Sequence, residues 1–180
     1  MAGLAAKNLT PAKSSGLISR LAYTRGERAG INVGKLLKRS GLAIGDIKND
    51  YIRLNIQKQI KFMDLVAKAL QDDNLGFHLA QGFDLREVGF LYYVAASAAT
   101  LGDALRRAQR YSTIVNEGLA IKLRHEKSLN IGFEYKGIAR HTDTHQIEFW
   151  ITALLRIIRQ LTNHKIRPIR VRLAHHRVDI

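Results

Sequence analysis

Apolar residues fall at helical spacing up to about residue 115 and then switch to alternation with polar ones. Leu17, Ile18, Leu21 and Ala22 make a short stripe that ends near Gly26 or Gly30. Asn32 caps a brief helix through Val33, Leu36 and Leu37, because its side-chain oxygen can accept from a free N–H of the first turn, and Ser40-Gly41 supplies the glycine stop. Residues 44 to 47 add a further turn. An extended stretch over 51 to 55 precedes a strong helix over 56 to 71. Its apolar side is Ile60, Met63, Leu65, Val66 and Leu70, with Lys58, Lys61 and Lys68 exposed. Residues 75 to 81 form a short helix closed by Gly82, and 83 to 87 a loop.

The pattern centres on the run from Gly89 to Tyr111, an apolar helix leading into a capped amphipathic one. Thr100 suits the N-cap of the second helix, with Asp103 near its positive end. Leu101, Ala104, Leu105, Ala108, Tyr111 and Val115 share one face, and Arg106, Arg107 and Arg110 take the other. After Asn116-Glu117-Gly118 the period becomes two. Leu119, Ile121 and Leu123, then Leu129, Ile131, Phe133 and Tyr135, read as a hairpin turning at 125 to 128. A helix from about Asp143, whose spacing to Gln146 resembles a capping box, carries Ile147, Trp150, Ile151, Leu154, Ile158 and Leu161 on one stripe. After Pro168, Ile169, Val171 and Leu173 face one way and Arg170 and Arg172 the other, a third strand. The expected class is α+β: mostly helical, with a small antiparallel sheet of about three strands covered by helices on one face.

A chain of 180 residues suits one domain, here 15–180 after a flexible tail over 1–14. No apolar run approaches the ~20 residues of a membrane span, and the N-terminus has no export leader, so a cytoplasmic protein is expected. The absence of cysteine removes disulfides and thiolate chemistry. The net charge of +14 is the extreme value. It favours anionic partners, nucleic acid first, but the basic residues are spread along the chain instead of forming one run.

Catalytic and cofactor motifs are missing. The segment Gly30-Ile-Asn-Val-Gly34-Lys35 is one residue short of a phosphate loop and puts Leu36 where a magnesium-binding hydroxyl belongs. His141 and His145 stand four apart, a zinc-compatible spacing, but without the glutamate of a metalloprotease. His175 and His176 point to opposite faces of a strand. No catalytic residue, metal ligand or cofactor is therefore assigned. The aromatics converge if the central helices and the last helix pack on the hairpin. Tyr92, Tyr93, Tyr111, Phe133, Phe149 and Trp150 are then the candidates to line a small-molecule site, beside a purely structural reading in which they fill the core.

Asp73-Asn-Leu-Gly-Phe-His-Leu-Ala-Gln-Gly82, Val88-Gly-Phe-Leu-Tyr92, Ser97-Ala-Ala-Thr-Leu-Gly-Asp-Ala-Leu105, Arg110-Tyr111 and Arg167-Pro-Ile-Arg-Val-Arg-Leu-Ala-His175 together resemble the N-terminal effector-binding domain of AraC/XylS-type transcription regulators. The resemblance runs from about 17 to 177 and is nearest the ornithine-utilisation and virulence-regulator subgroup. It implies a non-enzymatic domain that senses a small effector and forms a homodimer. In such regulators, DNA is read by two helix-turn-helix units in a C-terminal domain outside this chain. The alternative from another class is a stand-alone nucleic-acid-binding protein that uses the charge of +14.

Overall fold

The computed structural model describes residues 11–138 and 142–175. Its elements, in order, are β1 (Lys13–Ser14), α1 (Leu17–Arg28), α2 (Val33–Ser40), α3 (Ile44–Lys48), β2 (Leu54–Asn55), α4 (Ile56–Leu70), α5 (Leu75–Gly82), α6 (Phe90–Ala96), α7 (Leu101–Val115), β3 (Leu119–His125), β4 (Leu129–Tyr135) and α8 (Thr144–Thr162). A single 3-10 turn, Leu85–Val88, stands where the sequence reads as loop. Asp84 starts it by accepting from the Arg86 N–H at 2.9 Å.

The caps form as their residue types dictate. Asn32 Oδ1 accepts from the Lys35 N–H at 3.1 Å, Asn55 Oδ1 from Lys58 at 3.0 Å and Thr100 Oγ1 from Asp103 at 3.1 Å. Each meets one of the donors that a helix start leaves free. The spacing from Asp143 to Gln146 does not yield a capping box. Gln146 Oε1 instead accepts from the Tyr135 hydroxyl at 2.9 Å, tying α8 to the end of the hairpin.

α4 runs through the middle of the helical layer. It packs on α1 and α2 with one side and meets α8 with another. Phe62, Met63 and Val66 lie on its buried stripe with under 2% of their surface exposed. Each contributes on the order of 1.5–3 kcal/mol by leaving water. The tightest helix pair is α5 against α8. A Cβ at Gly76 would stand 2.2 Å from the His145 carbonyl oxygen, so only glycine permits this approach. Arg156 of α8 closes the C-terminal end of α5, donating to the carbonyls of Ala80 at 2.5 Å and Phe83 at 3.0 Å. Those are acceptors that the helix end leaves unpaired.

The strands differ from the expectation of one three-stranded sheet. β3 and β4 pair antiparallel from Leu119↔Tyr135 to His125↔Leu129 as a two-stranded hairpin lying against α7. A second two-stranded pair joins β1 to β2, Lys13↔Asn55 and Ser14↔Leu54. The expected third strand over 169–173 pairs with no described strand, and Ile169 is 91% exposed. The cause lies at its two ends. Arg159 Nε donates to the Ile166 carbonyl, and His175 pairs with Glu148, so both ends of this segment are held by α8 rather than by the hairpin edge. Alternation supplies a strand's pattern, but a strand forms only where another edge meets it. Of the stretch read as tail, 1–10 lies outside the described residues, and Lys13–Ser14 forms β1.

Candidate ligand-binding site

A narrow cleft opens where α6, α7, α8 and the hairpin meet. Its walls are Val88 of the 3-10 turn, Leu91 and Ala95 of α6, Ala104 and Ala108 of α7, Ile121 and Phe133 of the hairpin and Trp150 and Leu154 of α8, with neighbours of the same kind. The free space is about 40 Å³, and the lining exposes no polar surface. Alanines at 95, 104, 108 and 153 explain the gap, since four helix positions that face one another carry only a methyl group. This was the legible signal for the site: Ala104 and Ala108 stand one turn apart on the stripe of α7. Trp150 is 8% exposed, and its indole N–H meets no acceptor among the described residues. An indole N–H left without a partner in the interior costs about 1–3 kcal/mol.

The structure places only two of the six aromatic candidates on the cleft. Phe133 and Trp150 share the cleft. Phe149, fully buried, turns away and stacks on Phe83 with centroids 5.0 Å apart. Tyr92 is buried, and its hydroxyl accepts from Gln160 Nε2 at 2.8 Å. Tyr93, one position on, is exposed. Tyr111 lies edge-on to Phe90 at 6.0 Å, in a different, open groove.

That groove, about 510 Å³ between α6 and α7, carries three arginines among largely apolar surface. Arg107 is fixed across it, donating to Ser97 Oγ at 2.7 Å and to the Val94 carbonyl at 3.2 Å. Arg106 pairs with Asp103 at 2.8 Å, and the Arg110 guanidinium lies 5.5 Å from the centre of the Tyr111 ring.

A third polar group lies at the base of α8. Glu148 is fully buried, with His175 Nε2 at 3.0 Å and His145 Nδ1 at 3.7 Å. Asp64 of α4 stands near this group. Burial pushes its carboxyl up from the ordinary value, against the pull of His145 and Lys68. Among the described residues no set of three or more such side chains is placed to hold a metal ion, and His141 and His176 lie outside them.

Residues 30–179 match the family model described as the arabinose-binding domain of AraC transcription regulator, N-terminal. The chain belongs to that family. No curated protein matches it. The match spans this AraC-family domain from the start of α2 through the segment after α8, so the cleft and the Glu148 group lie within it. The family is one of ligand-sensing regulatory domains rather than enzymes. Among the described residues of the AraC-family domain, no helix is long and apolar enough to cross a membrane. β1 and α1 precede the match and dock on it through α4: Gln59 Nε2 donates to Ser14 Oγ at 2.7 Å, and Ser19 Oγ donates to Gln59 Oε1 at 3.1 Å.

Proposed function

We propose that this domain senses a small effector in the cleft between α6, α7, α8 and the hairpin, as the regulatory half of a cytoplasmic, homodimeric AraC-family transcription regulator. DNA is then read by a separate helix-turn-helix domain. The observation that supports this is the cleft, whose walls come from the consecutive elements α6, α7, the hairpin and α8. A guest that touches all four favours one arrangement of them over another, which is what a sensor requires. Phe133 and Trp150 are the aromatic contacts. Tyr92, Tyr93, Tyr111 and Phe149 face other surroundings and do not line the cleft.

The test is a ligand panel read by melting temperature and by emission of Trp150, the only tryptophan. L-arabinose, named in the family's description, belongs in it. A ligand at 100 times its Kd adds about 2.7 kcal/mol, a rise of several degrees. Emission and melting unmoved by every compound, across sugars, acids and apolar molecules, would remove the reading. Sedimentation of the chain with and without ligand checks the dimer.

A second reading rests on the basic groove. Arg106, Arg107 and Arg110 line one side of α7 in a chain of net charge +14, a surface suited to a nucleic-acid backbone. Gel-shift titration separates the two. Tight binding to any duplex, steeply weakened by salt, favours this alternative.

A further inference from the structure

The chemistry of the cleft narrows the guest further, on the footing that the cleft is the sensing site. Every lining residue is apolar, and none carries a charge, a hydroxyl or an amide. The single polar side-chain atom among them is the indole nitrogen of Trp150, which is buried, shows no surface to the cleft as it stands and has no acceptor among the described residues. We propose that the effector is an uncharged, mainly apolar molecule with one hydrogen-bond acceptor, a carbonyl or ether oxygen, which the Trp150 N–H receives.

A polyol does not fit these walls. A sugar brings several hydroxyls, each of which donates and accepts, and the lining residues hold one donor, itself buried, and no side-chain acceptor. Helix backbones add nothing, since their N–H and carbonyl groups are used within the helices. A carboxylate or ammonium is excluded on the same grounds, because no counter-charge lines the space.

The size of the space adds a second element. About 40 Å³ holds a few heavy atoms, so a guest of seven or eight atoms enters only by pushing the walls apart. The seam free to give is the one between α7 and α8: α8 is held by α5 but touches α7 sparsely, and Leu154, Ile157 and Leu161 on its cleft side are only half-buried. Entry of the guest therefore widens this seam, moving α7 relative to α8 and to the segment that α8 holds through Glu148 and Arg159.

The experiment titrates 2-heptanone and L-arabinose into the 180-residue chain and into two variants, Trp150→Phe and Ala104→Leu, by calorimetry and thermal melting. Trp150 emission is followed wherever the tryptophan is present. The ketone should raise the melting temperature and shift emission saturably, while arabinose does neither. Trp150→Phe should weaken ketone binding roughly three- to tenfold, the loss of one hydrogen bond. Ala104→Leu should abolish it by filling the gap, and it decides the matter if Trp150→Phe fails to fold. Ketone binding that survives Ala104→Leu places the ligand elsewhere and overturns the proposal. Unchanged affinity in Trp150→Phe overturns the role of the indole. Arabinose binding that shifts Trp150 emission, with the ketone silent, overturns the ligand class and leaves the cleft as the sensing site. Silence of both overturns the ligand class and takes the support from the cleft as well.

Discussion

His175 Nε2 lies 3.0 Å from Glu148 Oε1, and this contact fastens the segment after α8 back onto the first half of that helix. The carboxylate has no exposed surface, so its partners decide whether it is tolerated there. His175→Ala should free this end of the chain. Amide exchange over 164–175 should accelerate by an order of magnitude or more, while global stability falls by only about 1–2 kcal/mol. Glu148→Ala should cost more, about 1.5–3 kcal/mol in urea unfolding, with Glu148→Gln between the two because the amide still offers an acceptor. Unaltered exchange in His175→Ala would show that the contact holds nothing.

Gly76→Ala should destabilise the fold although alanine is the better helix former. The propensity gain is about 1 kcal/mol, whereas the new methyl would meet a backbone oxygen at 2.2 Å and the Glu148 Cβ at 2.9 Å. Overpacking against backbone costs about 1–3 kcal/mol, and neither contact can be relieved by turning a flexible side chain. A net loss of up to about 2 kcal/mol in denaturant unfolding is the expected result, and a gain would refute the close approach of α5 to α8.

Gln59→Leu should be among the costliest substitutions of a polar residue. Gln59 is 1% exposed and serves three partners: Ser19 Oγ, Ser14 Oγ and the Leu54 carbonyl. Leucine fits the volume but orphans all three groups, at about 1–3 kcal/mol each, with partial relaxation. A loss of about 2–4 kcal/mol is expected from chemical denaturation.

Asp64→Asn should stabilise the protein at neutral pH. Burial raises the folded-state value of this carboxyl above 3.8, outweighing the pull of His145 and Lys68. Stability from such a group is fully present below the unfolded value and is lost as pH rises through the folded one. At pH 7 the ionised carboxylate is therefore a burden that the neutral amide removes. The variant should melt higher than the parent at pH 7, and the gap should close as the pH drops below about 4. A lower melting temperature at pH 7 would mean that attraction to His145 and Lys68 wins.

The helical half of the fold is readable because stripe and cap agree. Asn32 and Thr100 stand one residue before their helices, and Ile60, Met63 and Val66 or Ala104, Leu105 and Ala108 follow at turn spacing. Position in space is what spacing omits. Tyr92 and Tyr93 are neighbours about 100° apart on a helix, so one goes in and the other out, and composition is blind to which. Phe149 and Trp150, whose rings meet edge to face at 5.3 Å, are both buried, but only Trp150 lines the cleft, which is why six candidate aromatics reduce to two beside it. Gln59 was within reach of inspection, because it precedes Phe62, Met63 and Val66 by three, four and seven on the buried stripe. Glu148 was not, since its burial depends on His175, far along the chain.

The two-residue strand Lys13–Ser14 touches Leu54–Asn55 on one side and bridges to Asn116 on the other. These partners are remote in sequence, and short pairings that close such long loops gain little until both far elements are in place. Lys13 and Ser14 should thus be the last to lock in refolding and the first to come loose. A protease site placed just ahead of Lys13 would then report, by its rate of cleavage, on the integrity of a junction assembled from three distant stretches of sequence.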